Sequence, residues 1–316
     1  MTSDLHDDPA HLIPATSQLR RSRRLWRVLF FLALAVAALA VAGRFAFADG
    51  PVGERIARIN VNGTIATDPA RLQVLRELTD DPLVDAVIVS INSPGGTTAG
   101  GEELFEALGV LRAEKPVVAV IHELGASAAY MTAIGSERVF ARRLSIVGSI
   151  GVLYQHVNAG KLLDTIGIDL DKVATGPLKA EPDIDEPITP LVRDSLQSLV
   201  ADSYDWFVDI VAERRGLSRA ETLALADGRI VTGRQGVEVG LIDAIGGELE
   251  AIAWLESERE LTSDLPVVTY YPIEEDDLFG LPRWLGGAVR SALGLGSGGS
   301  IALDGLVSLW QAGSSI

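Results

Sequence analysis

Three short segments of this 316-residue chain carry groups of the kind that hydrolyse an acyl bond. In Gly125-Ala126-Ser127-Ala128-Ala129-Tyr130 a serine sits among small residues that allow a sharp turn and leave its hydroxyl accessible. In Thr175-Gly176-Pro177-Leu178-Lys179, 52 residues further on, a lysine lies on a loop. Upstream, Asn92-Ser93-Pro94-Gly95-Gly96 puts two glycines directly after an apolar run. A serine hydroxyl is a weak nucleophile and needs a base within hydrogen-bond reach. Backbone N–H groups at a glycine turn can hold the oxyanion that forms when it attacks. The three segments thus supply a nucleophile, a base and an oxyanion hole. Singly, each has a plainer reading: ordinary helix packing, a solvated loop lysine, a turn.

The base is the discriminating part. The chain has four histidines, His6, His11, His122 and His156, and no cysteine. The histidines are too scattered for a metal cluster, and a cysteine nucleophile or thiolate metal site is excluded. His122 stands five residues before Ser127 and is expected to be structural. A lysine can act as the base when burial away from carboxylates lowers its affinity for a proton. Lys179 is flanked by Pro177, Leu178 and Ala180, an apolar setting. Glu181 and Asp183 would oppose that role, so they are expected to point away. No metal and no cofactor is called for.

The elements around these segments alternate. Strands are expected over Arg55–Ile65 (turned by Asn62-Gly63), Val84–Ile91, Val117–Ile121, Arg138–Ala141 and Val267–Tyr271. Helices are expected over Asp68–Thr79, Thr98–Ala113, Ser127–Ile134, Thr189–Arg215 and onward from Glu248. Strands that are apolar almost throughout, separated by helices, indicate a parallel sheet covered on both faces. The site of such a sheet lies at the carboxyl ends of its strands. Both the glycine pair and Ser127 fall there.

The first 48 residues stand apart. Arg20, Arg21, Arg23, Arg24 and Arg27 precede an apolar run from Val28 to Gly43, closed by Arg44. Residues 25–48 are long enough to span a hydrocarbon core of roughly 30 Å. The arginines place residues 1–24 in the cytoplasm and the rest across the membrane. Ala46-Phe47-Ala48 also reads as a cleavage site, but the polar segment ahead of the apolar run is long for a signal peptide. Beyond residue 48 the chain holds 40 acidic against 21 basic residues. That balance excludes a nucleic-acid partner, which would need a basic face. The tail, residues 272–316, is rich in Gly, Leu and Ser. Leu278–Leu295 reads as an amphipathic membrane-surface helix, a subunit contact or a flexible extension.

At these motifs the chain resembles the bacterial signal peptide peptidase family, Ser/Lys serine proteases of the ClpP/crotonase superfold. The resemblance runs from Arg55 to Gly247. It includes the Ala-Ser-x-x-Tyr of residues 126–130, Gly148-Ser149-Ile150-Gly151-Val152, Asp227-Gly228-Arg229-Ile230-Val231-Thr232-Gly233 and Gly240-Leu241-Ile242-Asp243. The single set of motifs resembles the short form of the family. The resemblance implies an α/β fold of repeated ββα units with a mainly parallel sheet, spanning residues 49–271, behind one N-terminal transmembrane helix. It implies Ser127 as nucleophile, Lys179 as general base, Gly96 and Ala128 as oxyanion-hole amides, and Ser149 as the residue orienting the lysine. It further implies a homo-oligomeric ring at the inner membrane with an extracytoplasmic catalytic domain. Neighbouring protomers would share each site, and the substrates would be extended apolar peptides such as signal-peptide remnants or unfolded segments. The family usually carries Gly-Gly after the serine. Ala128-Ala129 here is expected to narrow the site or shift its substrate preference, with activity kept. Rival expectations are a membrane protease of the same superfold that cuts one specific partner, and an inactive peptide-binding scaffold.

Overall fold

The computed structural model describes residues 26–35, 38, 53–272 and 307–309. The chain divides into two units, residues 1–53 and 54–316. In the first, residues 26–35 are helical. Among the described residues no helix is long and apolar enough to cross a membrane. The rest of the expected anchor over 25–48, and the expected helix Leu278–Leu295, lie outside the described residues.

The second unit is an α/β fold on one mainly parallel sheet. Its strands are β1 (Arg55–Ile65), β2 (Val84–Thr97), β3 (Val117–Ala126), β4 (Arg138–Ala141), β5 (Ile146–Gly148), β6 (Ile230–Thr232), β7 (Ala244–Ile245), β8 (Val267–Tyr271) and β9 (Val307–Leu309). The main path runs β6-β5-β3-β2-β1-β8. The β1, β2, β3 and β8 pairings are parallel; β6 on β5 and β9 on β2 are antiparallel. The helices are α1 (Pro69–Asp80), α2 (Thr98–Glu114), α3 (Ala128–Ile134), α4 (Gly160–Ile166), α5 (Pro190–Arg215), α6 (Arg219–Leu225), α7 (Gly233–Glu238) and α8 (Glu248–Glu258).

Successive strand residues point to opposite faces, and both faces are covered. Ile59, Val87, Val89, Val117 and Ala119 pack with Leu75, Leu104, Leu108 and Phe207 of α1, α2 and α5. Ile56, Ile88, Val118 and Val120 pack on Ala251 and Leu255 of α8. That is why the central parts of β2 and β3 read as nearly continuous apolar runs: both faces are covered there. Each Val, Ile, Leu or Phe side chain among them contributes roughly 1.5–3 kcal/mol on burial. Helix starts are set by local chemistry. Asp68 accepts hydrogen bonds from the Ala70 and Arg71 N–H groups, with Pro69 in the first turn, and Thr97 accepts from Gly100.

Two expected turns are strand instead. Asn62-Gly63 does not reverse the chain; it is an irregularity inside β1, with Gly63 at φ +66° and the register shifting between Asn62 and Thr64. Asn92–Thr97 likewise continues β2, and Thr64 and Ile65 pair with Gly95 and Gly96. The two strands extend together beyond the regular sheet. A Cβ on Gly96 would sit 1.8 Å from the Ile65 carbonyl oxygen, so only glycine permits this approach.

One buried bond ties the motifs together. The Tyr130 hydroxyl donates to the Leu241 carbonyl over 2.7 Å, and burial pushes its pKa up. It fastens α3 to the Gly240–Asp243 segment, where Arg215 pairs with Asp243 and also donates to the Gly240 carbonyl. Tyr130→Phe leaves that buried carbonyl without its partner. The substitution is expected to cost about 1–2 kcal/mol, read as a lower urea midpoint with an unchanged slope.

Candidate active site

Ser127 is the single residue between β3 and α3. Its backbone stands at φ 61°, ψ −123°, a conformation that non-glycine residues rarely adopt. Its N–H donates to the Gly148 carbonyl over 2.8 Å, and its own carbonyl accepts from Tyr130 and Met131. The residue is only 1% exposed. Five described non-glycine residues have positive φ: Ser127, Ser149, Ala180, Glu260 and Asp264. Two of them are expected site residues, and a third directly follows Lys179. Sparsely populated backbone conformations concentrate at functional sites.

Ser149 lies at φ 52° immediately after β5, and its N–H donates to the Arg229 carbonyl over 2.7 Å. The Asp227-Gly228-Arg229 motif cradles this turn. Gly228 N–H donates to the Ile150 carbonyl, and Asp227 grips Arg229. The fold thus brings Ser127 and Ser149 to one edge of the sheet through the Ser127–Gly148 bond. Gly96 arrives at the same edge. Ser93 pairs in register with Gly125, two residues before Ser127, and the next residues of β2 are Pro94, Gly95 and Gly96. The Ser93 hydroxyl accepts a hydrogen bond from the Gly95 N–H and fixes Gly95 at φ +104°. Ser93 was not singled out in the sequence; a serine two residues ahead of a glycine is the local signal for such a turn.

Ala128 opens α3, where backbone N–H groups have no preceding helical carbonyl to accept them. Both Ala128 and Ala129 are fully buried, and a Cβ on Gly101 of α2 would come within 3.0 Å of the Ala128 Cβ. The small residues after Ser127 therefore serve the close packing of α3 on α2.

Lys179 is exposed on the loop between α4 and α5, with its N–H donating to the Gly176 carbonyl. Among the described residues of the one chain, no hydrogen bond or ion pair joins its side chain to Ser127 or Ser149. Lys172 pairs with both Glu181 (2.5 Å) and Asp183, so both carboxylates have a cation other than Lys179. His122 is engaged elsewhere: its Nε2 lies 2.8 Å from the Ser90 hydroxyl in β2.

Comparison with known proteins adds the family. The profile of peptidase family S49 matches residues 110–262. A Methanocaldococcus jannaschii protein named as a protease, MJ0651, is 34% identical over 242 residues, 75% of this chain and 76% of that one. An Enterococcus faecium protein named as signal peptide peptidase SppA is 29% identical over 262 residues, 78% of this chain and 75% of that one. Among solved structures, a mutant of ClpP1 from Listeria monocytogenes aligns with a TM-score of 0.40 at 15% identity, covering 60% of this chain and 91% of that one. A likeness that slight carries no argument. The identity and coverage shared with the first relative, together with the profile match across Ser127 and Lys179, show that the chain belongs to peptidase family S49, the family of the signal peptide peptidases.

Proposed function

We propose that this chain is a membrane-anchored serine endopeptidase with a ClpP/crotonase-like catalytic domain and a Ser127/Lys179 dyad. The observation that carries the reading is Ser127 itself. It is a buried serine with positive φ at the strand-to-helix junction, on the sheet edge that also holds Gly96 and Ser149. The Ser127 Oγ attacks the scissile carbonyl carbon while its proton passes to the Lys179 Nζ. The oxyanion is held by the Gly96 and Ala128 N–H groups, and Ser149 orients the lysine. Collapse expels the amine with the proton from Lys179. Water then releases the acyl group by the same two steps.

The lysine reaches the serine from a neighbouring protomer of a ring. Supporting this, the segment that carries Lys179 exposes Val157, Leu162, Ile166, Leu170, Val173 and Leu178. An apolar stretch of that extent marks a surface that another subunit covers. A ring at the extracytoplasmic face of the inner membrane, anchored by residues 25–48, admits extended apolar peptides such as signal-peptide remnants and excludes folded proteins. The full chain, purified in detergent, is expected to hydrolyse a fluorogenic apolar peptide and an unfolded protein while a folded protein survives. It is also expected to stay in the pellet after alkaline carbonate extraction of membranes. A chain that cuts none of the three substrates overturns the peptidase reading; one found wholly in the supernatant overturns the anchor.

A further inference from the structure

Helices α1 and α2 follow the parallel strands β1 and β2 and run back side by side from the carboxyl edge of the sheet. Their inner sides pack on the strands through Leu78, Leu104 and Leu108. Between their outer sides lies an open groove of about 450 Å³. Its floor is apolar: Leu75 is buried, Leu72 and Ala107 are half-buried, and Val110 is 65% exposed. Three acids of α2, Glu102, Glu103 and Glu106, line it against one cation, Arg76 of α1. Glu103 is engaged, accepting from the Asp68 N–H and from Arg71. Glu102 and Glu106 are exposed, and among the described residues no hydrogen bond or ion pair engages either carboxylate.

We propose that this groove is a second peptide-binding surface, outside the catalytic edge, which takes a short apolar helix carrying Lys or Arg at one end. The inference rests on the reading of the chain as a peptidase of apolar peptides. Backbone chemistry selects a helix. The N–H and C=O groups of α1 and α2 are spent on their own turns, so the groove offers no strand edge. A peptide buried there must satisfy its own main chain, as a helix does, and dock through side chains. Charge selects the basic end. Glu102 and Glu106 lie four residues apart on α2 and share one face, where they repel each other until a cation sits between them. The length agrees as well. The 12 residues of α1 make a wall about 18 Å long. A signal-peptide remnant has this chemistry: a basic segment followed by roughly 7–15 apolar residues. The placement also fits. α2 starts directly after Gly95–Thr97 and packs on α3 through Gly101, so a helix held here has one end beside the catalytic edge. The groove captures the substrate in its helical form, before it is drawn out and cut.

The chain has no cysteine, so a single thiol reports on one place. Val110→Cys puts it on the groove floor. Leu249→Cys puts it at an exposed position between Glu248 and Glu250, which shares the acidity but not the groove. Both are made in full-length Ser127→Ala protein in detergent. The probe is a synthetic peptide of two lysines, about twelve alternating leucines and alanines, and a terminal cysteine activated as a mixed disulfide. A second probe has glutamates in place of the lysines. Each coupling rate is divided by that of a small neutral disulfide reagent at the same thiol. The lysine probe is expected to couple to Val110→Cys at least about fivefold faster than to Leu249→Cys, and faster by a similar factor than the glutamate probe at Val110→Cys. Adding Glu102→Lys and Glu106→Lys is expected to remove both advantages. Equal rates at the two thiols or for the two probes overturn the inference, and so does an advantage that survives the added lysines. Val110→Cys protein that forms disulfide dimers with no probe present assigns the groove to a second copy and also overturns it. With Ser127 intact, the protein carrying Glu102→Lys and Glu106→Lys is expected to cut a short fluorogenic peptide like wild type, while its KM for the lysine-ended peptide rises. An unchanged KM overturns the capture role and leaves the peptidase reading standing. If the wild type hydrolyses neither peptide, the peptidase reading falls, and the capture role falls with it.

Discussion

Ser127→Ala is expected to lower the hydrolysis of a fluorogenic apolar peptide by at least about 10³-fold, leaving thermal unfolding within a few degrees of wild type. The loss should fall on kcat, because in the proposed mechanism the hydroxyl forms the covalent bond and does little to hold the ground state. Fold and packing predict the intact stability. The hydroxyl is replaced without adding an atom, and the backbone bond from Ser127 N–H to Gly148 is kept. Labelling by a serine-reactive phosphonate gives an independent readout: wild type labels and the variant does not. Equal hydrolysis by the two proteins would remove Ser127 from the mechanism and direct attention to the pair Ser90 and His122, which already share a 2.8 Å contact.

Lys179→Ala is expected to be as inactive as Ser127→Ala, again by about 10³-fold or more. The informative experiment combines the two. When the variants are co-assembled in equal amounts, a site of the proposed geometry works only where an intact serine meets an intact lysine from the next protomer. Random assembly then restores about one quarter of wild-type activity. A mixture that stays inactive, although mass photometry shows mixed assemblies, would place both groups in one chain. The loop would then have to fold inward from its exposed position. Retained activity in Lys179→Ala would show that another group takes the proton.

Much of the frame was legible because its causes are local. The buried strands Val84–Ile91 and Val117–Ile121 could be read from composition, since a strand covered on both faces has no polar alternation to lose. The helix starting at Pro69 could be read from Asp68 and the proline, because the cap acts within three residues. What escaped was decided between segments. Asn62-Gly63 and Pro94-Gly95-Gly96 are turn sequences taken alone. They become strand because each supplies the other's ladder partner, and the close approach of Gly96 to Ile65 exists only once β1 and β2 are side by side. The packing of Ala128 against Gly101 was hidden in the same way, because the sequence does not show which helices face each other. The pairing of Val307–Leu309 with Gly95–Thr97 joins residues more than two hundred positions apart through a three-residue strand. No periodicity signal survives at that length. Ser127, Lys179 and the Gly95-Gly96 pair were legible from residue chemistry and spacing, whereas Ala128 and Ser149 came from motif resemblance. What the fold adds is a common edge for Ser127, Gly96 and Ser149, with Lys179 on the exposed loop.

The dihedral angles of Ser127 carry a consequence for the history of such a chain. At φ 61° and ψ −123° an L side chain is out of place, and holding it there costs of order 1–3 kcal/mol. Glycine would meet no such penalty, so selection for stability alone would drive this position to glycine. On the proposed mechanism, the serine persists only while its hydroxyl is being used. Relax the demand for catalysis, and the first drift to expect is toward a sturdier, silent protein that keeps every strand of the sheet.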